Sequence, residues 1–199
     1  MMLVLASANP HKVTELSRIL AAGHVDVRLT SLIDFPGAPD VPETGATFAE
    51  NALLKAHAVA QFTGLPAVAD DSGLCVDALN GMPGVLSARW SGRHGDDAAN
   101  LQLVLAQLAD VPDDRRGAQF VCAAALALPD GREHVSEGVV AGRLIREQRG
   151  RNGFGYDPIF VPASSDITTA EMDPAEKDRI SHRGKALRGL APVIAALLG

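Results

Sequence analysis

Short apolar runs alternate along this chain with stretches whose apolar residues recur at helical spacing, the rhythm of a layered α/β domain. Met1 to Ala6 reads as a first strand. It runs into Ser7-Ala8-Asn9 and Pro10, after which Val13, Leu16, Ile19 and Leu20 mark the apolar stripe of a helix. Asn9 is a good N-cap, and Pro10 suits the first helical position because an N–H there would lack an intrahelical partner in any case. A second strand is expected over about Val25–Leu29, followed by a Pro- and Gly-rich loop from Asp34 to Gly45. Thr47-Phe48-Ala49-Glu50 has the form of a capping box and opens a helix that ends near Gly64.

Ala67–Ala69 predicts a short strand that stops at Asp70-Asp71-Ser72-Gly73. Leu74–Leu79 is then its continuation or a return strand, closed by the turn residues Asn80 to Gly84. Asp96 can cap a helix over Asp97–Leu108. Phe120–Leu128 is apolar at odd and even positions alike, which implies a strand buried on both faces. Asp130-Gly131 is a hairpin signal and His134–Ala141 can return antiparallel, so the sheet is expected to be mixed. Gly153–Val161 supplies a loop and a further strand. A last helix covers about His182–Leu198, with Pro192 putting its continuity in question.

The length of 199 residues suits one domain with a substantial core, so 1–199 is expected to form a single unit of function. No apolar run approaches the roughly 18 to 20 residues of a membrane span. The N-terminus lacks the basic segment and small-residue cleavage site of a secretory signal, and the cytoplasm is the expected compartment. Lys plus Arg (18) against Asp plus Glu (24) leaves a net charge of −6. That balance argues against broad contact with nucleic acid or an anionic membrane, while a few local cations with a metal could still hold a small anionic ligand. Cys75 and Cys122 lie in apolar runs without zinc-ligand spacing and read as free thiols.

Three constellations carry candidate chemistry. Ser7-Ala8-Asn9-Pro10-His11-Lys12 lies at a strand end and a helix start, where unpaired N–H groups and the helix dipole favour an anion and Lys12 adds a full charge. The same residues would also make an ordinary capped turn with a surface lysine. Asp70 and Asp71, with Glu43 in the preceding loop, put carboxylates at the end of an apolar strand, where Mg²⁺ is the natural partner. Neighbouring strand residues face opposite ways, so one aspartate can serve a metal while the other holds the turn; a solvated acidic turn is the alternative. The third is Phe154-Gly155-Tyr156-Asp157 with Ser181-His182-Arg183: a ring beside a glycine can stack on a flat heterocycle, and Asp, His and Arg can read its edge. Core packing would account for the aromatics equally simply. Lys177, one or two turns before His182, is either a helix-surface charge or a third phosphate contact.

In order and spacing these segments, together with Pro42-Glu43-Thr44-Gly45, Glu50-Asn51-Ala52, Gly81-Met82-Pro83-Gly84 and Ser87-Ala88-Arg89, resemble the inosine triphosphate pyrophosphatase family nearly end to end. The resemblance implies an α/β fold with a long, twisted mixed sheet flanked by helices, two lobes and a central cleft. It implies a cytoplasmic homodimer that hydrolyses ITP, dITP and XTP to monophosphate and pyrophosphate with Mg²⁺. By residue, it implies that Ser7, Ala8, Asn9, Pro10, His11 and Lys12 hold the triphosphate, with Lys55 as an assistant. Asp71 would be proton acceptor and metal ligand, with Glu43 at the metal, and Ser72 would touch substrate. Phe154, Gly155, Tyr156, Asp157, Lys177, His182 and Arg183 would form the base side, Arg183 binding the C6 oxygen. The family often has Thr where Ser7 stands, and the hydroxyl is kept. A septum-inhibitor-like pyrophosphatase would carry a Ser-Pro-Arg-Arg-type opening loop, which is missing here. A non-catalytic nucleotide sensor would gain little from carboxylates near phosphate.

Overall fold

A computed structural model describes residues 1–198. Strands β1 (Met2–Leu5), β2 (Arg28–Ser31), β3 (Ala67–Val76), β4 (Gly117–Ala127), β5 (Glu133–Leu144) and β6 (Phe160–Pro162) form one sheet in the order β2-β1-β3-β4-β5-β6. β1 is parallel to β2 and β3, whereas β5 is antiparallel to β6, so the sheet is mixed. The helices are α1 (Pro10–Ala22), α2 (Phe48–Thr63), α3 (Asp97–Gln107), α4 (Pro174–Ile180) and α5 (His182–Leu198). Their starts follow local chemistry. Asn9 caps α1 by accepting the His11 N–H, the Thr47–Glu50 box closes reciprocally on α2, and Asp96 accepts from Ala99 at α3.

Three expectations shift. β2 begins later than Val25 because the end of α1 consumes that segment: His24 adopts φ 53° and the Val25 N–H bonds back to Leu20. β3 does not stop at Asp70 but runs through Asp70-Asp71-Ser72-Gly73 to Val76. α5 continues through Pro192, which sits on an exposed face where water can satisfy the carbonyl that loses its partner. α4, just before α5, was not foreseen as a separate helix.

The described residues divide into two compact units: Met1–Asp71, Cys122–Gly138 and Arg183 onward in the first, Ser72–Val121 and Val139–His182 in the second. In the first unit the period-two alternation of the strands sorts two cores. Leu3, Leu5, Val68, Cys122, Ala124 and Leu126 pack with Leu16 and Leu20 of α1 and Leu187, Leu190 and Ile194 of α5. Their strand neighbours Val4, Ala67, Ala69, Ala123 and Ala125 pack with Ala52, Ala56, Val59 and Ala60 of α2. The small side chains on that second side are why Phe120–Leu128 reads as apolar at every position. Cys75 and Cys122 are free thiols, as expected, and burial pushes both pKa values up.

The second unit's core joins Leu74 and Val76 of β3 to Leu101, Val104 and Leu108 at α3, Leu144, Tyr156, Ile159 and Phe160. Arg116 is 2% exposed there, and its guanidinium donates to the carbonyls of Leu108 (2.7 Å), Leu144 (2.9 Å) and Ile145 (3.2 Å). It thereby closes the end of α3 onto the end of β5. Arg116→Leu would keep apolar bulk but strand those acceptors, so a loss of about 3 kcal/mol is expected from charge-assisted bonds of this kind. Urea unfolding monitored by circular dichroism checks it.

Candidate active site

The first unit brings two clusters onto consecutive residues of β3. Asp70 belongs to the face covered by α1 and α5. Its carboxylate, 2% exposed, accepts from Lys12 Nζ at 2.8 Å and lies 3.2 Å from Arg183 Nε. Lys12 and Glu15 lie one turn apart on α1, and Glu15 ion-pairs with the Arg183 guanidinium. Burial opposes the charged form of Asp70, yet Lys12, Arg183 and Lys55 together outweigh it and hold the carboxyl below its ordinary range. Arg183 Nη2 is buried and without a hydrogen-bond partner among the described residues. A buried guanidinium N–H left in this condition costs free energy and is a natural place for a ligand oxygen.

Asp71 belongs to the opposite face, toward α2. There Asn51 and Lys55, again one turn apart, reach it: Asn51 Nδ2 donates to Oδ2 at 3.0 Å, and Lys55 Nζ lies 3.4 Å from Oδ1. Lys55 also donates to Glu43 Oε1 at 2.8 Å. Asn51 is fully buried, and its Oδ1 accepts the Gly45 N–H at 2.7 Å, tying the Glu43 loop to the strand. Gly45 has to be glycine for this, since a Cβ would stand 2.8 Å from that same oxygen. Burial, with the Glu43 charge adding to it, raises the Asp71 pKa against the pull of Lys55 and Asn51. For Lys55 burial works against the ammonium, but Asp71 and Glu43 prevail and its pKa is raised.

The phosphate-loop candidates occupy the β1–α1 junction. Ser7 is half-buried and its Oγ accepts the Asn9 N–H at 3.2 Å, while Ala8, Asn9, Pro10 and His11 are exposed. The Asn9 cap uses its Oδ1, at 2.9 Å from the His11 nitrogen, and does not require Nδ2.

The second unit contains a pocket of about 580 Å³, counting its open mouth, lined by Ser72, Gly73, Leu74, Ser87, Ala88, Asp97, Phe120, Phe154 to Asp157, Lys177 and His182. Phe154 is 78% exposed, with Lys177 Nζ 5.4 Å from its ring centroid. Tyr156 differs from the expectation of a stacking ring. It lies in the core with its hydroxyl donating to the Ser87 carbonyl at 2.9 Å, and burial raises its pKa. Asp157 is likewise a strut, because its carboxylate accepts from the Phe154 N–H, Lys177 and Thr169. Gly153, at φ 78°, leaves the space in which Asp157 and Lys177 meet. Asp97 accepts the Gly155 N–H at 3.0 Å, and the His182 ring stacks on Phe120 with centroids 4.9 Å apart.

Most of the expected residues thus fall into two sets: Lys12, Glu43, Lys55, Asp71 and the β1–α1 turn in the first unit, Ser72, Phe154 to Asp157, Lys177 and His182 in the second. Arg183 is the exception. Expected with the base-reading group, its guanidinium is instead held by Glu15 and Asp70, sharing a counter-ion with Lys12. Lys177 is neither a loose surface charge nor a member of the first cluster, since Asp157 holds it. Asn51, Glu15, Asp97 and Phe120 were not anticipated. Asn51 did leave a signal, as a polar residue on the apolar stripe of α2.

Among known proteins, the chain is 61% identical over 197 residues to the dITP/XTP pyrophosphatase of Streptomyces coelicolor, covering 99% of this chain and 98% of that one. A crystal structure of a nucleoside-triphosphatase / dITP/XTP pyrophosphatase from Mycobacterium abscessus matches with a TM-score of 0.82 at 60% identity, over 96% of this chain and 100% of that chain. A HAM1 protein structure from Coxiella burnetii matches with a TM-score of 0.91 at 44% identity, over 98% and 99%. The Ham1 family profile matches residues 3–193, nearly the whole length over which the two acidic clusters and the aromatic pocket are built. This chain belongs to the Ham1 family, the inosine triphosphate pyrophosphatase family to which its motifs pointed.

Proposed function

We propose that this chain hydrolyses ITP, dITP and XTP to the monophosphate and pyrophosphate, and so keeps deaminated purines out of DNA and RNA. The observation that carries the reading is the pair of consecutive aspartates on β3, one gathering cations and the other standing among an amide, an ammonium and a second carboxylate. Buried carboxylates are costly in a protein that only binds phosphate, but are required where a metal and a base act on it. The dITP/XTP pyrophosphatase names of full-length relatives support the substrate class. Residues 1–199 act as one domain, with the phosphate-side residues and Arg183 in the first unit and the other base-side residues in the second.

Ser7, Ala8, Asn9, Pro10, His11 and Lys12 take the triphosphate through the open backbone and positive dipole end of α1, with Lys12 opposing the charge that develops on the leaving pyrophosphate. Glu43 and Asp71 hold a divalent metal, read as Mg²⁺. Among the described residues no three His, Cys, Asp or Glu side chains converge, and a two-carboxylate site suits an ion that keeps waters and takes phosphate oxygens better than it suits zinc. When bound, the metal would supply charge neutralisation and a more acidic attacking water. Asp71 accepts that water's proton as its oxygen bonds to the α-phosphorus and the bond to the bridging β-phosphate oxygen breaks. Burial makes this carboxylate a stronger base than a solvated one. Asn51 keeps one of its oxygens in place.

On the base side, Phe154 stacks on the purine, Ser72, Lys177 and His182 supply polar contacts, and Gly155, Tyr156 and Asp157 hold the pocket's shape. Arg183 Nη2 is the donor offered to the C6 oxygen of hypoxanthine or xanthine. Adenine carries an amino group at that position and would leave the donor unpaired, a strong basis for rejection. The reading includes a cytoplasmic homodimer. No helix of the described residues is long and apolar enough to cross a membrane.

Four outcomes follow. Pyrophosphate release from a nucleotide panel should be fast for ITP, dITP and XTP and slow for ATP and GTP, and should require a divalent metal; release of orthophosphate instead would refute the reading. Asp71→Asn should lower kcat at least ~10²-fold, the scale of a lost general base. Asp70→Asn should instead act mainly on KM, because it frees Lys12 and Arg183 from their shared anchor; steady-state kinetics on folded variants distinguishes the two. Sedimentation velocity should give twice the 20.8 kDa chain mass.

A further inference from the structure

Lys55 occupies an unusual place for a lysine. It projects from α2, one turn beyond Asn51, and its ammonium bridges Glu43 Oε1 at 2.8 Å and Asp71 Oδ1 at 3.4 Å. The two carboxylates come from a loop and a strand far apart in sequence, and the ammonium is what the structure shows within bonding range of both. Lys12, the other lysine of the first unit's acidic centre, does not do this; its ammonium is given to Asp70, on the other face of β3.

The geometry points to Lys55 as an internal counter-ion that holds Glu43 and Asp71 together and that a divalent cation must displace in order to bind them. This rests on the reading of those two residues as the metal carboxylates. A Mg²⁺ ion binds carboxylate oxygens at about 2.0–2.1 Å. An ammonium and a dication cannot share one pair of oxygens at these distances, because like charges in a half-buried site repel strongly. Metal entry therefore expels the ammonium, and the lysine's flexible four-carbon stem leaves it free to meet the phosphates that arrive with the metal. The lysine makes the acidic pair tolerable before metal binds and lowers affinity for metal without nucleotide. Metal and triphosphate binding are thereby coupled.

The test measures Mn²⁺ binding to the full chain without nucleotide, by calorimetry and by the electron paramagnetic resonance signal of free Mn²⁺. Lys55→Met and Lys55→Gln, each checked for folding by circular dichroism, should bind Mn²⁺ at least about tenfold more tightly than the parent, the effect of removing a contact charge from a half-screened site. Lys55→Arg should stay within about threefold of the parent, and so should Lys12→Met, whose ammonium is ion-paired to Asp70 and not to either metal carboxylate. Unchanged or weaker binding in both neutral Lys55 variants overturns the proposal. Equal tightening by Lys12→Met also overturns it, since general charge rather than displacement would then be at work. Glu43→Gln separates this failure from that of the underlying reading. If Glu43→Gln loses Mn²⁺ while the Lys55 variants gain nothing, Lys55 alone is misassigned. If Glu43→Gln binds as the parent does, the metal pair itself is wrong and the proposal falls with it.

Discussion

The organisation of the first unit depends on the alternation of side chains along β3. Successive residues of a strand face opposite sides of the sheet, so Asp70 and Asp71 cannot share an environment. Asp70 enters the layer of α1 and α5, where Lys12 and Arg183 meet it; Asp71 enters the layer of α2, where Asn51 and Lys55 meet it. The same alternation sorts Leu3, Leu5 and Val68 from Val4, Ala67 and Ala69. One geometric rule thus assigns both the hydrophobic layers and the two acidic roles.

On α2 the aspartate is met by a pair of polar residues one turn apart, Asn51 and Lys55, whereas on α1 Lys12 meets Asp70 and Glu15, one turn on, holds Arg183. The α2 spacing places both members of its pair on one face of the helix. The energetics differ between the faces. Around Asp70 the cations outweigh burial and the carboxyl stays ionised, as an anchor requires. Around Asp71 burial and Glu43 outweigh the stabilising partners, and a more basic carboxylate results. Two adjacent residues of one type are thus pushed in opposite directions by their surroundings, the usual way in which one pair of carboxylates is divided between roles.

The second unit uses its polar groups differently. Asp97, Asp157 and Tyr156 spend their hydrogen bonds on backbone and neighbouring side chains. What this rigidity leaves exposed is a phenylalanine ring, with a lysine beside it. A flat aromatic plate on a braced loop suits a heterocycle, because stacking needs a fixed orientation more than it needs specific donors.

Local signals in the sequence were enough for the starts of α1, α2 and α3, the hairpin and the mixed sheet, because caps, turn residues and period are decided by neighbours a few positions apart. Asn9, Thr47 with Glu50, and Asp130-Gly131 each act within four residues. The motif order also identified the family. What only the tertiary structure decided is who partners whom. Asp70 reads as the end of a strand until Lys12 and Arg183, 58 and 113 positions away, make its burial affordable and let β3 run on to Val76. Arg183 follows His182 in the chain, yet its guanidinium goes to Glu15 and Asp70, because a buried charge is placed by whichever opposite charges the packing brings within reach. Asn51, Arg116 and Lys55 owe their roles to the same long-range pairing, which no window of sequence contains.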